Sequence, residues 1–338
     1  MKAVLLRKHG KPAVLQLSDQ PRPEPAGGEV RVRIEHIGIN YAEILSRKGL
    51  YRWAPALPYI PGMEAYGKID AVGKNVDHRS VGERVIVGAQ NGCYAEWIAI
   101  PEAQALPAIP SYTPEENAAF PVNYMTAWIS LMKMARLKPR DTLLVNAAAG
   151  GVGTAAVQLA RAFGCAVYGT AGSDEKVARL QMLGIDGAVN YEQENYEAEI
   201  RSLREGRGVD VVLELVGGEV YRKSLGLMEP FGRIVISGFA SLDLNRWNPV
   251  SWLRAWRALP RLHLSDMGVR SYGVLATHIG YLLNDMPRLL EVWRELTTFV
   301  EEHAIRPVVG TTFSFKHIDK AHALMESRRS IGKIVITL

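Results

Sequence analysis

The glycines that follow one apolar run have the spacing needed to cradle a phosphate group. In "TLLVNAAAGGVGTAAVQLA" (142–160) the apolar run predicts a strand, and the Ala-rich run after the glycines predicts a helix. Gly150 and Gly153 stand at the second and third glycine positions of a dinucleotide-binding fingerprint, and Ala148 replaces the first. Such a turn presents backbone N–H groups and the positive end of a helix to a pyrophosphate. The predicted phosphate ligands are Gly150, Gly151, Val152 and Gly153. The alternative is a glycine-rich turn that binds nothing.

The end of the next predicted strand indicates which dinucleotide would fit. A site for NAD usually has an acid about 20 residues further on, where the carboxylate accepts the ribose hydroxyls. Here the strand "AVYGTA" is followed by Gly172 and Ser173, with Lys176 one helical turn later and Tyr191 at the end of the next strand. These donors suit a 2′-phosphate, so the sequence favours NADPH. Two alternatives stay open: the acids at positions 174 and 175 could repel the phosphate, and Lys176 could be a solvated surface lysine.

Two different chain patterns must position these residues. From residue 1 to about residue 109, short β-like runs are separated by glycines, prolines and asparagines, which predicts a compact, barrel-like β domain. From about Asn123, apolar strands alternate with helices, which predicts a parallel sheet covered on both faces. The chain closes with a strand-helix-strand pattern in "FSFKHIDKAHALMESRRSIGKIVITL". The fold class is therefore α/β, with a doubly wound parallel sheet and a second, β-rich domain.

Composition excludes several classes of protein. With 338 residues, 48% of them hydrophobic, the chain can bury a sizeable core. The net charge of +5 is mild and the basic residues form no long run, so no nucleic-acid partner is predicted. Cys93 and Cys165 are too few for a disulfide framework, which favours a reducing compartment. The N-terminus lacks a signal-peptide pattern, and the most apolar window contains polar residues that favour a buried helix over a membrane span. A cytoplasmic location is expected.

Several of these motifs together resemble a known family. They are "GINYAEILSRKGLY", "PYIPGMEAYGKIDAVG", "AAAGGVG", "GTAGSDEK", "VNY" and the terminal "GKIVI". In combination they are similar to the zinc-independent quinone oxidoreductases of the medium-chain dehydrogenase/reductase superfamily, and "FPVNYMTAW" with a Trp-rich insert is most similar to the branch of the VAT-1 homologues. The resemblance implies a GroES-like catalytic domain over residues 1–122 and 304–338, and a Rossmann NADP-binding domain over residues 123–303. It also implies a homodimer.

The residues at the zinc positions of that superfamily differ here. Zinc-dependent relatives supply a histidine in a Gly-His-Glu run, but this chain reads "PGMEAYG", with Met63 at the histidine position. Asn40 stands in the region of the first cysteine ligand, and Glu64 remains as a lone acid. A catalytic zinc site needs about three protein ligands. No metal site is therefore predicted.

Without a metal, the choice of hydride acceptor narrows. Reduction of an ordinary ketone builds charge on one oxygen, which zinc or a strong proton donor normally stabilises. Reduction of a quinone or of a C=C bond conjugated with a carbonyl spreads that charge over a phenolate or an enolate. The leading hypothesis is an NADPH-dependent, zinc-independent oxidoreductase of quinones or α,β-unsaturated carbonyl compounds, as the resemblance also implies. The alternative is a nucleotide-regulated protein that binds lipid or a membrane surface with little turnover.

The family segment from "GIN" to "GLY" implies two catalytic residues. Asn40 would orient the nicotinamide or the acceptor oxygen, and Tyr51 would donate its phenolic proton to the developing oxyanion. Alternatively, Asn40 caps a helix and Tyr51 only packs. Further contacts to the cofactor are expected from "VNYMT", from the backbone after the strand "RIVIS", and from one of two basic residues in the tail. The residues concerned are Asn123, Thr126, Gly238, Phe239, Ala240, Arg329 and Lys333.

One Trp-rich segment, 247–264, does not fit the catalytic pattern. Trp252, Trp256 and Leu259 share one face of a predicted helix, while arginines lie mostly elsewhere. A basic amphipathic helix can rest on an anionic membrane surface, cover an apolar substrate pocket or contact another subunit. The ordinary alternative is a helix whose tryptophans are buried in their own protein.

Overall fold

The computed structural model describes residues 1–238 and 264–338, which group into two compact units. The first unit comprises residues 1–122, 280–297 and 306–338, and the second comprises residues 123–279 and 298–305. The predictions for Phe239, Ala240 and nearly all of the Trp-rich segment fall on residues 239–263, outside the described residues.

The first unit is built on a seven-stranded, mostly antiparallel sheet. Its strand order is β14-β15-β3-β4-β5-β7, with β6 also paired to β3, and β1 pairs with β2 separately. The strands are β1 (Lys2–Val4), β2 (Leu17–Asp19), β3 (Glu29–Ile39), β4 (Glu64–Val72), β5 (Arg84–Gly88), β6 (Trp97–Pro101), β7 (Ala105–Pro107), β14 (Val309–Ser314) and β15 (Lys333–Thr337). The helices that lie wholly in this unit are α1 (Tyr41–Lys48), α2 (Pro114–Ala119) and α10 (Ile318–Glu326).

The long strand β3 organises this sheet. Its alternating apolar residues Val30, Val32 and Ile34 are buried in the core of the unit. The end of β3 pairs with two strands at once, because Gly38 lies opposite Glu64 on β4 and opposite Val335 on β15. This register brings residues that are far apart in the sequence to the start of α1.

The second unit contains the predicted parallel sheet. Its strand order is β10-β9-β8-β11-β12-β13, and all pairs are parallel. The strands are β8 (Thr142–Val145), β9 (Ala166–Ala171), β10 (Gly187–Asn190), β11 (Val209–Glu214), β12 (Met228–Ile236) and β13 (Gly273–Ala276). The helices are α4 (Gly151–Ala162), α5 (Asp174–Met182), α6 (Tyr196–Leu203), α7 (Gly218–Gly226) and α8 (Leu264–Arg270). The predicted α/β fold with a doubly wound sheet is confirmed.

The order of the strands places a crevice at one edge of this sheet. The chain proceeds outward from β8 in one direction through β9 and β10, and in the other through β11, β12 and β13. Ligands of such sheets bind outside the carboxyl ends of the strands at this reversal. The glycine-rich turn follows β8 and therefore lies at that place.

Two helices are divided between the units, and one of them groups differently from the sequence expectation. Helix α3 (Pro121–Trp128) contains the boundary after Val122, and α9 (Met286–Glu302) contains the boundary after Thr297. The sequence assigned all of residues 123–303 to the second domain, whereas residues 280–297 group with the first unit. The physical reason is burial of an aromatic side chain, since Trp293 packs edge-to-face on Phe120.

Across the described residues, no helix combines the length and the apolar character that a membrane crossing requires.

Candidate functional site

The glycine-rich turn has the geometry of a phosphate cradle. Helix α4 begins directly after Gly150, and its first intrahelical bond runs from the Thr154 N–H to the Gly150 carbonyl at 2.8 Å. The three N–H groups before Thr154 therefore precede the intrahelical pattern and lie at the positive end of the helix. A Cβ at Gly153 would lie 2.5 Å from the Ala148 carbonyl oxygen, so only glycine fits there. The turn can hold an anionic pyrophosphate.

The two preceding glycines differ in what surrounds them. At Gly151 an added Cβ would meet the side-chain amide of Asn123, so these two predicted site residues are in contact. At Gly150 the nearest atom to an added Cβ is the Ala147 carbonyl oxygen at 3.4 Å, which is tolerable for the protein itself. The space over Gly150 is therefore open to a ligand. Thr126 is buried on the same helix as Asn123.

The predicted 2′-phosphate pocket is assembled at the ends of β9 and β10. A Cβ at Gly172 would lie 2.7 Å from the Tyr191 hydroxyl, so the phenol stands directly over that glycine. Ser173 caps α5, because its Oγ accepts from the Lys176 N–H at 3.4 Å. Lys176 is half-buried, and burial lowers the pKa of its ammonium while the Glu175 carboxylate opposes that shift. Gly172 and Tyr191 are thus in contact, and the Ser173 hydroxyl is bonded to the backbone of Lys176.

One of the two acids that could repel a phosphate is already hydrogen-bonded, whereas the other, Glu175, is exposed. The Asp174 carboxylate accepts from Asn190 Nδ2 at 2.7 Å and from Gln193 Nε2 at 3.2 Å. These bonds hold it toward the strand β10. The pocket residues that remain, a hydroxyl, a phenol and an ammonium, fit the 2′-phosphate of NADPH better than a bare ribose.

A buried carboxylate below the cradle was missed by the sequence analysis. Glu214, at the end of β11, accepts from the Val216 N–H at 2.6 Å, the Gly217 N–H at 2.8 Å and Asn146 Nδ2 at 2.8 Å. Burial raises the pKa of Glu214, and these three donors lower it. Asn146 also accepts from the Thr170 hydroxyl at 3.1 Å, so its side chain ties β8 to both neighbouring strands. An acid directly after the apolar run "VDVVL" was the feature of the sequence that could have predicted this buried carboxylate.

The end of β12 is described only as far as Gly238. An added Cβ there would lie 2.8 Å from the Leu215 carbonyl oxygen, so the backbone of the two strands is close. The neighbouring Ser237 hydroxyl lies 2.7 Å from the Ser130 hydroxyl. The predicted nicotinamide contacts at Gly238, Phe239 and Ala240 stay predictions.

The first unit contains a buried polar cluster, which we call the Asn40 cluster and define as Asn40, Glu64 and Lys333. Asn40 Nδ2 donates to Glu64 Oε1 at 2.8 Å, and Lys333 Nζ donates to Asn40 Oδ1 at 2.6 Å. Lys333 and Glu64 also form an ion pair. Relative exposure is 6% for Asn40, 0% for Glu64 and 2% for Lys333. All three groups are therefore withdrawn from bulk water.

This cluster bears on three of the sequence expectations. Glu64 is not a lone acid, because it is paired and its second oxygen accepts from the Val122 N–H at 2.8 Å. Asn40 precedes α1 and forms a capping box with Glu43, as the capping alternative required, and its amide is also bonded to Glu64 and Lys333. Of the two tail residues, Lys333 is buried and Arg329 is exposed. Contact of either with the cofactor stays a prediction.

A second chain of buried groups begins at Glu43, on the first turn of α1. Its carboxylate accepts from the Asn40 N–H at 2.8 Å, the Met63 N–H at 2.8 Å and the Tyr94 hydroxyl at 2.6 Å. The Tyr94 oxygen lies 2.8 Å from His322 Nε2. Burial raises the pKa of Glu43 to about 7 and, with the Arg47 charge, lowers the pKa of His322 to about 3. The sequence did not predict this series of hydrogen-bonded side chains.

Tyr51, the second predicted catalytic residue, follows the end of α1. It is half-buried, and burial raises the pKa of its phenol while a hydrogen bond with Gln90 lowers it. The phenol therefore keeps its proton at neutral pH. Proton donation by Tyr51 stays a prediction.

The donor set around these residues does not fit a zinc ion. In the part of the chain that is described, no three His, Cys, Asp or Glu side chains are grouped where a metal could bind. The amide of Asn40 is bonded to Glu64 and Lys333, and Met63 offers only a weak thioether donor.

Comparisons with known proteins cover both units. The family model "Alcohol dehydrogenase GroES-like domain" matches residues 26–111, and "Zinc-binding dehydrogenase" matches residues 151–272. The rat synaptic vesicle membrane protein VAT-1 homolog is 32% identical over 99% of this chain and 84% of its own length. The quinone oxidoreductase-like protein 2 homolog of Nematostella vectensis is 32% identical over 99% of this chain and 88% of its own length.

A similar solved structure carries a bound nucleotide. The Escherichia coli quinone oxidoreductase complexed with NADPH is 28% identical and superposes with a TM-score of 0.88, covering 100% of both chains. The likeness therefore extends from the first strand to the last.

Proposed function

Because the chain belongs to the medium-chain dehydrogenase/reductase superfamily, in the branch of the VAT-1 homologues and quinone oxidoreductases, we propose that it is an NADPH-dependent oxidoreductase that reduces quinones or α,β-unsaturated carbonyl compounds without zinc. The observation that carries the proposal is the pocket formed by Gly172, Ser173, Lys176 and Tyr191, which suits a 2′-phosphate. The NADPH-bound E. coli relative supports the same cofactor.

The residues of the second unit hold the cofactor. NADPH, when bound, supplies a hydride to the acceptor. The backbone N–H groups at the start of α4 bind the pyrophosphate, and the side chains of Ser173, Lys176 and Tyr191 bind the 2′-phosphate. Gly153 keeps α4 close to β8, which fixes the position of those N–H groups.

The residues of the first unit handle the charge that develops on the acceptor. Tyr51, like any phenol, holds its proton at neutral pH, and it donates that proton to the developing oxyanion. Asn40 provides a second hydrogen-bond donor to the acceptor oxygen. A quinone or an enone spreads the negative charge, so these two donors are sufficient without a metal.

The proposal is tested by turnover with both nucleotides. Purified protein is mixed with NADPH or NADH and with a panel of small 1,4-quinones and enones, and the nicotinamide absorbance is followed. We expect NADPH-dependent reduction of at least one acceptor that persists in the presence of a metal chelator. Binding of NADPH without turnover of any acceptor, together with sedimentation of the protein by anionic vesicles, would instead favour the lipid-binding alternative.

The choice of nucleotide has its own test in Lys176→Glu. We expect the dissociation constant for NADPH to rise at least about tenfold, because a charge-assisted hydrogen bond to phosphate is replaced by repulsion. The constant for NADH should change much less. Lys320→Glu, an exposed site in the first unit, is the matched control and should change neither constant. An unchanged preference for NADPH in Lys176→Glu would show that Lys176 is not the anchor.

A further inference from the structure

The Asn40 cluster joins three segments of the chain through one amide group. Asn40 precedes α1, Glu64 opens β4 and Lys333 opens β15. The amide accepts from the ammonium at 2.6 Å and donates to the carboxylate at 2.8 Å. The amide is therefore bonded to two buried groups of opposite charge.

These two partners leave the amide only one orientation. An ammonium can only donate and a carboxylate can only accept, so a rotated amide would place NH₂ against Lys333 and its oxygen against Glu64. Two attractive contacts would become two repulsive ones. Glu64 uses one of the two Nδ2 hydrogens, and the direction of the other is fixed with it. An asparagine without such neighbours has no comparable preference.

The same partners also polarise the amide. A cation on the carbonyl oxygen withdraws electron density from the nitrogen and makes its N–H a stronger donor, and chains of hydrogen bonds strengthen one another at low dielectric. A buried ion pair is weak evidence for stability, because apolar residues of similar volume often hold a fold as well or better. The ion pair of Lys333 and Glu64 is therefore not explained by its contribution to the stability of the fold.

The sheet leaves space for this pair at one residue. A Cβ at Gly38 would lie 2.7 Å from Glu64 Oε1 and 2.8 Å from Lys333 Cε. Gly38 is opposite Glu64 in the β3–β4 register and opposite Val335 in the β3–β15 register. The backbone pairing thus places the carboxylate and the ammonium side by side against Asn40.

We propose that Lys333 and Glu64 are positioning residues that fix and polarise the Asn40 amide, so that its second N–H is presented as a strengthened donor to the oxygen of a carbonyl acceptor. This inference rests on the proposed function, since the acceptor is the quinone or enone of that reaction. It gives Lys333 a role that acts through Asn40, in place of direct contact with the cofactor.

The test removes Lys333 and measures the effect on turnover, first in the wild-type protein and then in a variant that lacks the Asn40 amide. Lys333→Met would leave Glu64 buried without its cation, so the variant used is Lys333→Met/Glu64→Gln, which keeps the cluster neutral. We expect kcat to fall about tenfold, with the acceptor KM and the dissociation constant for NADPH each changing less than about twofold. Lys320→Met, at an exposed lysine in the same unit, is the control and should match the wild-type protein.

A double-mutant cycle decides whether Lys333 acts through Asn40. In an Asn40→Ala background, the same pair of substitutions should produce no further loss of kcat, because the amide that they position is absent. Losses that multiply in that background would overturn the inference. A tenfold or greater rise of the NADPH dissociation constant in Lys333→Met/Glu64→Gln would also overturn it, because it would indicate direct cofactor contact.

A spectroscopic readout separates this inference from the proposed function. The two side-chain amide protons of Asn40, assigned by their disappearance in Asn40→Ala, should have widely separated NMR shifts in the wild-type protein. The separation should narrow in Lys333→Met/Glu64→Gln, because the amide loses its fixed partners. A separation that is unchanged would contradict the positioning role. Absence of turnover in the wild-type protein, with the expected narrowing, would reject the proposed acceptors and retain the positioning of the amide.

Discussion

The phosphate cradle and the Asn40 cluster are built by opposite means. The cradle consists of backbone and small residues within one short stretch, and its binding groups are N–H donors at the start of α4. The Asn40 cluster consists of charged and polar side chains from residues 40, 64 and 333. A ligand that brings its own charge needs only backbone donors and open space. A group that must point in one direction needs side chains on several sides.

The largest expected effect on NADPH binding tests the cradle, which depends on the absence of a side chain at Gly153. Gly153→Ala should abolish NADPH binding, raising its dissociation constant at least about 100-fold, because a methyl would press on the Ala148 carbonyl 2.5 Å away and push α4 off β8. Overpacking of this kind costs about 1–3 kcal/mol. Fluorescence titration with NADPH and a thermal melt measure the two consequences.

The same substitution at another glycine provides the control. Gly268 lies within α8, and an added Cβ there meets no atom within 4 Å. Gly268→Ala should bind NADPH like the wild-type protein and be slightly more stable, since alanine favours helix over glycine by about 1 kcal/mol. Wild-type NADPH binding by Gly153→Ala would show that the close approach of α4 is not what forms the cradle.

The largest effect on stability, as distinct from NADPH binding, concerns the buried carboxylate of Glu214. Glu214→Leu should destabilise the protein by at least about 3 kcal/mol, because it leaves the donors of Val216, Gly217 and Asn146 without their acceptor. Glu214→Gln should lose much less, since its amide oxygen still accepts from the two backbone N–H groups. Thermal melts of the two variants measure the difference, and equal losses would contradict the role of those hydrogen bonds.

This difference in construction explains what the sequence could predict. The alternation of strands and helices, and the spacing of Gly150 and Gly153, are local patterns, so they predicted the parallel sheet and the place of the cradle. The partners of Asn40 depend on the registers of β3 with β4 and β15, which no local pattern encodes. Glu64 was therefore interpreted as a lone acid, and its ion pair with Lys333 was missed. Contact of Lys333 or Arg329 with the cofactor stays a prediction.

The grouping of residues 280–297 with the first unit could not be predicted from the sequence for a related reason. The amphipathic pattern of α9 predicts a helix with one apolar face, but it does not say which core that face joins. Contact of Trp293 with Phe120 decides it for the first part of the helix. Glu43 and His322 likewise lie on two helices with ordinary patterns, and only the fold brings each of them to Tyr94.

A smaller effect concerns the first unit, where the buried groups Glu43 and His322 should make the stability of the protein depend on pH. Glu43 has a pKa raised to about 7 in the folded protein, so the folded state binds more protons than the unfolded state and stability falls as pH rises from about 4.5 to 7. His322 has a pKa lowered to about 3, so stability rises with pH between about 3 and 6.5. Between pH 4.5 and 6.5 the two contributions oppose each other.

Comparison with a variant that lacks Glu43 should isolate the contribution of Glu43, because His322 is present in both proteins. The free energy of unfolding of the wild-type protein relative to Glu43→Gln should fall by about 3 kcal/mol as pH is raised from 4.5 to 7.5. The groups that face Glu43 in this comparison are Tyr94, Lys333 and Glu64, which both proteins share. Denaturant unfolding across that range measures the difference. A difference that is constant with pH would show that Glu43 does not titrate in this window.

The smallest effects lie in the cradle and concern its departure from the glycine fingerprint. Ala147 has a positive φ of 52°, whereas Ala148 is not among the residues with positive φ. Ala147→Gly should therefore stabilise the protein by up to about 1 kcal/mol by relieving a left-handed alanine.

The Ala148 methyl fills the space over Gly169, where an added Cβ would lie 2.7 Å from it. Ala148→Gly should destabilise the protein by about 1 kcal/mol, with NADPH affinity within twofold of wild type. Thermal melts that give both adjacent substitutions the same sign would show that the alanine in place of the first glycine is not explained by backbone conformation and packing.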